Sequence, residues 1–274
     1  MNQQGQWQLA GSAPETYERE LVPAIFAPWA PIVIDLAQPR PGDRVLDVAC
    51  GTGIVARMVA ERLGPGGAVF GVDLNPGMLK VARSIPLKDS HSREALRWQE
   101  ASANKLPFPN ASFHVVYCQL GLQFFPDRPA ALREMHRVLV AGGRLALMVW
   151  CDIAESPGFA ALAKSLEHRV GQAAANVMRA PFSLPDADEL TALVRAAGFQ
   201  GVAIQRQTGT VRFPSAEKLV ASYVNGSPLA GLISRTDNAA REALTADVEN
   251  ALGHHTNSTE LTFPIAAHLV SARA

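Results

Sequence analysis

The hydrophobic pattern of this chain changes period repeatedly, and the changes mark its elements. Val45-Leu46-Asp47-Val48 is a short apolar run with an acid at its third position. Ala49-Cys50-Gly51-Thr52-Gly53 interrupts it, and apolar residues then recur at helical spacing to about Leu63. This predicts a buried strand, a tight glycine turn and a helix over 52–63. Gly64-Pro65-Gly66-Gly67 stops that helix. Residues 68–72 form a second strand, ended by Asp73, and Pro76 takes a favoured first helical position. Residues 84–93 read as a polar loop. Further strands are predicted over 96–100, 115–118 and 144–150, with an amphipathic helix over 129–139 before the last of them.

The flanks are less regular. Residues 3–11 are polar. Residues 14–37 have a helical pattern broken by Pro23, Pro28 and Pro31, which predicts two short helices. Beyond Trp150, one helix is expected over 159–170 and another from about Pro185 to Gly198, with acids in its first turn. A strand follows over 202–213. Residues 215–252 read as helix in two pieces, split at Asn225-Gly226-Ser227-Pro228, and a last strand covers 259–271.

Composition narrows the class. The chain has 274 residues, 48% hydrophobic and 18% charged, as expected of a globular protein able to bury a sizeable core. Lys+Arg 25 balances Asp+Glu 25, so no basic field favours a nucleic-acid partner. No signal peptide is read at the start, and no stretch approaches the roughly 20 apolar residues of a membrane span. Cys50, Cys118 and Cys151 each follow a strand and cannot all pair, which suits reduced thiols in a cytoplasmic setting. His254-His255 is read as solvated loop, because no Cys or acid completes a metal set. The motifs of serine-hydrolase elbows and phosphate loops are missing.

The glycine turn is where chemistry is expected. Gly51 and Gly53 permit torsions forbidden to other residues and leave bare main chain for a ligand, at the start of a helix. Gly51-Thr52-Gly53-Ile54-Val55-Ala56 also fits the loose dinucleotide form G-x-G-x-x-A, so an NAD(P)-dependent oxidoreductase stays open. Asp47 weighs against it. A carboxylate there repels a pyrophosphate by about 4 kcal/mol at about 4 Å and an effective dielectric of about 20. It suits the ammonium end of S-adenosylmethionine. Asp73, about 20 residues past the turn, is placed to accept from ribose hydroxyls. Ligands in such sheets collect at the carboxyl ends of strands beside the switch in strand order, which places Gln119 near the cofactor and Gln123 and Phe124 near an acceptor.

Asp47-Val48-Ala49-Cys50-Gly51-Thr52-Gly53, Gly71-Val72-Asp73-Leu74-Asn75-Pro76-Gly77-Met78-Leu79, Leu106-Pro107-Phe108, and Arg137-Val138-Leu139 with Gly142-Gly143-Arg144-Leu145 occur in this order. Together they resemble the class I S-adenosylmethionine-dependent methyltransferases, in the branch with quinone-biosynthesis C-methyltransferases. The resemblance implies a doubly wound, mostly parallel seven-stranded α/β sheet of Rossmann-like type with a reversed last strand and a helical cap. It implies an N-terminal helical lid over 1–40, a cofactor-binding core over 41–150 continued at 186–213 and 258–274, and cap insertions at 151–185 and 214–257. The implied cofactor is S-adenosylmethionine, held by Tyr17, Asp47, Ala49, Gly51, Gly53, Asp73, Leu74, Met78, Ser102, Ala103 and Gln119. The implied partner is a small organic acceptor met by Gln123, Phe124, Trp150 and Tyr223, in a protein that could form a homodimer. Two departures stand out: Ser102 replaces an acid that usually meets the adenine, and His114, read as scaffold, replaces a usual Asp. No catalytic base can be named from the sequence; His254, His255 and Tyr223 lie in the expected cap. A protein that binds the cofactor without transferring methyl also stays open.

Overall fold

β1 (Arg44–Val48) is buried at all but its first residue, so its apolar run satisfies a strand covered on both faces. The computed structural model describes residues 8–64, 66–87, 90–234, 238–256 and 260–274. The polar stretch through residue 7, Pro65 of the helix stop, Lys88 and Asp89 of the expected loop, and Thr259 at the expected start of the last strand lie outside the described residues. β1 pairs in parallel with β2 (Ala68–Asp73) and β4 (Phe113–Gln119). β3 (Leu96–Glu100) and β5 (Leu139–Trp150) extend the parallel set on either side. β7 (Leu261–Arg273) runs antiparallel to β5 and to β6 (Gln200–Phe213), so the seven-stranded order is β3-β2-β1-β4-β5-β7-β6. The strand order reverses between β1 and β4, and their carboxyl ends face the same crevice.

Alternation along the strands divides the core in two. Val45, Val115, Tyr117, Ala146 and Met148 face one apolar cluster. Leu46, Val48, Val116, Cys118, Leu145 and Leu147 face the other. The first is covered by α3 (Ile54–Leu63) through Val55, Ala56 and Val59. The second is covered by α6 (Arg128–Val138) and α9 (Ala187–Ala196) through Leu132, Met135, Leu190 and Val194. Arg137 of α6 donates to the carbonyls of Phe108 at 2.8 Å and Leu106 at 3.1 Å, while Glu134 accepts from the Leu106 N–H at 2.8 Å. That bracket fixes the Leu106-Pro107-Phe108 segment. His114 accepts from the Arg44 N–H at 2.9 Å near the start of β4, at the strand end opposite the crevice, as a scaffold residue would.

The N-terminal prolines do not split the helix. α1 (Ala13–Thr16) runs through a π-helical segment Tyr17–Phe26 and a 3-10 turn Ala27–Trp29 into α2 (Ala30–Ala37). Pro23 sits in the wide π segment, while Pro28 and Pro31 fall in the first two positions of the following segments, where a missing N–H costs little. The continuous run Ala13–Ala37 contains an 18-residue window of mean hydropathy 1.5, long and apolar enough by length and composition alone to cross a membrane, a test that the core helix of a globular fold also passes. Its Leu21, Ile25, Trp29, Val33 and Ile34 are buried in the first core cluster.

The remaining elements differ modestly from expectation. α4 (Pro76–Ser84) follows β2, and α5 (Ser90–Ala95) replaces part of the expected loop. After β5 there are two helices, α7 (Pro157–Arg169) and α8 (Gln172–Arg179), because Gly171 at φ 113° ends the first. Three pieces rather than two follow β6: α10 (Ala216–Asn225), α11 (Leu229–Ile233) and α12 (Asn238–Ala251). Asp247 of α12 accepts from Arg169 at 2.8 Å and from the Ser165 hydroxyl at 2.7 Å, tying α12 to α7.

Gly53 carries the tightest constraint of the turn. Its φ is +88°, and an added Cβ would lie 2.1 Å from the Trp98 ring. Left-handed strain and overpacking each cost on the order of 1–2 kcal/mol. Gly53→Ala should therefore lower stability by about 2 kcal/mol or more, read as a lower urea midpoint at unchanged slope. An unchanged midpoint would show that the turn tolerates a side chain.

Candidate active site

The crevice is built where β1 and β2 end. Ala49 follows β1 in the left-handed region at φ 57°, an uncommon conformation for a residue with a Cβ. Gly51 and Gly53 continue the turn, also at positive φ. The Cys50 N–H donates to the Val72 carbonyl at 2.9 Å, which locks the turn to β2. Asp73 then accepts from the Gly51 N–H through Oδ2 and from the Asn75 N–H through Oδ1, both at 2.8 Å. Asn75 caps α4 by accepting from the N–H groups of Gly77 and Met78, and its own amide donates to the Leu9 carbonyl at 3.0 Å. Burial pushes the Asp73 carboxyl up, against those backbone N–H groups.

Asp47 is 1% exposed. Its Oδ2 accepts from the Ala56 N–H at 3.1 Å in the first turn of α3. Its Oδ1 is buried without a partner. Burial pushes this carboxyl up to about 8, and the negative Asp73 adds to the shift, while the Ala56 N–H and Arg57 oppose it. The repulsion of a fixed anion, argued from sequence, is therefore not how this residue discriminates. A cation at Oδ1 stabilises the ionised form, whereas an anion reinforces the neutral one.

One cavity of about 680 Å³ opens at this point. It is lined by Tyr17, Asp47, Ala49, Gly51, Asp73, Leu74, Met78, Ser102, Ala103 and Gln119, and equally by Gln123, Phe124, Trp150 and Tyr223. Of the residues assigned from sequence to the cofactor or the acceptor, only Gly53 is outside its lining, since it faces Trp98. Tyr17 stacks on Phe26 with centroids 5.0 Å apart, and burial raises its hydroxyl. The Gln119 amide donates to the Phe26 carbonyl at 3.0 Å, and its Oε1 is buried without a partner. Ser102 accepts from the Asn104 N–H at 3.3 Å.

Trp150, Phe159, Phe182 and Tyr223 form a continuous aromatic wall. Phe182 lies 6.5 Å from Trp150 and 5.8 Å from Phe159, and Tyr223 lies 5.4 Å from Phe159, between ring centroids. Burial raises the Tyr223 hydroxyl, so it stays protonated at neutral pH. His254 and His255 occupy the turn Gly253–His255, away from the cavity lining, so neither serves as its base. Among the described residues there is no cluster of metal-ligating side chains.

Several lining residues were not singled out from sequence. Asn75 carried a readable signal, a capping residue before Pro76. Phe159, Phe182, Arg128 and Arg179 carried none, because packing alone brings them to the cavity. Beside the turn, Arg57 pairs with Glu18 at 2.9 Å and also donates to the Thr52 carbonyl, linking the N-terminal helical run to the turn.

A family model described as the ubiE/COQ5 methyltransferase family matches residues 22–214. The chain belongs to that family. The Ubiquinone/menaquinone biosynthesis C-methyltransferase UbiE of Ectopseudomonas mendocina is 36% identical over 197 residues, which cover 67% of this chain and 75% of that protein. The UbiE of Xanthomonas oryzae pv. oryzae is 41% identical over 125 residues, 46% of this chain, so the chain spans about half (49%) of that relative's length. A Haemonchus contortus phosphoethanolamine N-methyltransferase structure, in complex with phosphomonomethylethanolamine and S-adenosylhomocysteine, shares the fold. Its TM-score is 0.59 at 17% identity, with 95% of this chain and 57% of that one covered.

The state of Asp47 can be tested without a ligand. An acid kept neutral by burial binds its proton more tightly when folded. Its contribution to stability is fully present below the ordinary value of 3.8 and is lost as pH rises to about 8. From about pH 5 to about pH 8 the native protein should lose stability relative to Asp47→Asn, followed by urea midpoints. Parallel pH curves would contradict the assignment.

Proposed function

We propose that this family member transfers a methyl group from S-adenosylmethionine to a carbon of a small, quinone-like aromatic acceptor. The observation that carries the reading is the unpartnered Oδ1 of Asp47, buried in the same cavity as the Gly51 main chain and the Asp73 carboxylate. These groups fit an ammonium, a sulfonium and a ribose. When bound, S-adenosylmethionine supplies an activated methyl group, so the protein's task is binding and alignment.

Asp47 Oδ1 receives the ammonium of the amino-acid end. Asp73 accepts from the ribose hydroxyls with the lone pairs left free by Gly51 and Asn75. Leu74 and Met78 contact the adenine, with Ser102 and Ala103 at its edge. Tyr17, stacked on Phe26, covers the methionine end and excludes water, and Gln119 Oε1 faces the positive sulfur. The aromatic wall of Trp150, Phe159, Phe182 and Tyr223 holds a flat acceptor against the donor. Alignment of this kind lowers a barrier by roughly 7–11 kcal/mol relative to free encounter.

Carbon is the favoured atom for a reason visible in the lining. Among the described lining residues there is no His, Lys or Glu; of the acids, Asp47 and Asp73 stand at the glycine turn and Asp152 accepts from the Ala154 N–H beyond β5, and Tyr223 stays protonated. A ring carbon beside a hydroxyl is already electron-rich and needs no base at the attacking atom; the S–methyl bond breaks as the carbon–methyl bond forms, and the displaced ring proton then passes to water. The family and the UbiE relatives support a quinone-like acceptor.

Calorimetry with S-adenosylmethionine tests the cofactor half. Asp47→Asn should weaken binding roughly 10- to 150-fold, the loss of about 1.5–3 kcal/mol expected for a charged hydrogen bond. Wild-type affinity should rise with pH toward about 8, with a proton released on binding at neutral pH. NADPH should give no thermal protection. Binding of NADPH in place of S-adenosylmethionine would refute the reading. Incubation with S-adenosylmethionine and hydroxylated quinol acceptors should yield S-adenosylhomocysteine and a carbon-methylated ring. Oxygen- or nitrogen-methylated product would move the reaction to another acceptor class.

A further inference from the structure

Gln123 stands apart among the buried polar side chains. It is 5% exposed and lines the cavity, yet neither Oε1 nor Nε2 has a hydrogen-bond partner. Gln119, at the end of β4, differs because its Nε2 donates to the Phe26 carbonyl. The Gln123 main chain is firmly held. Its carbonyl accepts from Arg128 at 3.2 Å and from the Ser183 hydroxyl at 3.1 Å. Gly121, just before it, sits so close to the crevice floor that an added Cβ would lie 2.6 Å from Ala49 Cβ. Leu120 adopts φ 59°, a left-handed conformation that redirects the chain after β4.

The backbone is thus fixed and the amide is left free. An unpaired buried polar group costs on the order of 1–3 kcal/mol, so its retention calls for a ligand that completes it. A primary amide offers one acceptor oxygen and two N–H donors. Around it the cavity presents the rings of Phe124, Trp150, Phe159 and Tyr223. We propose that Gln123 selects the acceptor, its amide pairing with a hydroxyl or carbonyl oxygen on a planar aromatic ring lodged against those side chains. The inference deepens the function proposed above and rests on it. It assigns oxygen recognition to one residue, and it implies that rings of the same shape without oxygen are rejected.

The test uses the full chain saturated with S-adenosylhomocysteine and two probes of similar shape, hydroquinone and p-xylene. Their dissociation constants are measured by NMR titration. The wild type should bind hydroquinone at least roughly tenfold more tightly than p-xylene, and Gln123→Leu should bring that ratio close to one. The affinity for S-adenosylhomocysteine should not change. The Tm of Gln123→Leu should equal or exceed that of the wild type, because an unpaired amide is replaced by an apolar group. Gln123→Met, of similar length, is a second variant should the first fail to fold. An equal affinity of the wild type for both probes would overturn the assignment, as would no binding of either. A preference unchanged in both variants, or a fall in Tm in both, would also overturn it. Failure of the wild type to bind S-adenosylhomocysteine would instead overturn the methyl-transfer reading beneath it.

Discussion

The Asp73 carboxylate is the joint on which the crevice depends. Its two oxygens take the Gly51 N–H on one side and the Asn75 N–H on the other. The turn after β1 and the cap of α4 are therefore positioned by one side chain. Asn75 extends the same chain of bonds through the start of α4 and back to Leu9. Each of these bonds satisfies a main-chain donor that a helix start or tight turn would otherwise leave exposed. In the function proposed above, a structural and a ligand-binding duty fall on this same carboxylate.

Around this joint the protein tolerates groups that a core optimised for stability would discard. Asp47 Oδ1, Gln119 Oε1 and both amide atoms of Gln123 are buried and unpaired, and all belong to residues lining one cavity. Ala49 and Leu120 hold left-handed torsions at the ends of β1 and β4. Orphaned polar atoms and strained backbone concentrated at one place mark a surface shaped for a partner molecule rather than for folding.

How far the sequence could be read follows from how local its signals are. β1, its glycine turn and α3 announce themselves within twenty residues, because a change of hydrophobic period and two glycines are local features. Asp73 was legible from spacing, and Asn75 could have been from its place before a proline. The prolines of the N-terminal run misled, since a shift between π, 3-10 and α geometry absorbs them without a break. α8 and the division of 215–252 into three helices escaped notice because tertiary packing sets their limits. The protonation of Asp47 was not readable either. It depends on desolvation by the surrounding fold, which no spacing reveals.

The β6–β7 hairpin has a consequence for how the molecule distributes its stiffness. β7 pairs with β5 only from Ala267 to Arg273, while Thr262 to Ile265 pair with β6 alone and Leu261 also bridges Thr256. α10 and α12 join the chain at this overhang, and Phe263 within it packs edge-on against Phe159 at 5.4 Å. Phe159 of the aromatic wall therefore leans on a two-stranded ribbon, whereas Trp150 ends β5 and the cavity floor rests on the middle of a seven-stranded sheet. A ribbon of two strands twists and bends more readily than a wide sheet. The cavity is consequently rigid along the carboxyl ends of β1 and β2 and compliant beside Phe159, and a lineage can remodel the second without disturbing the first.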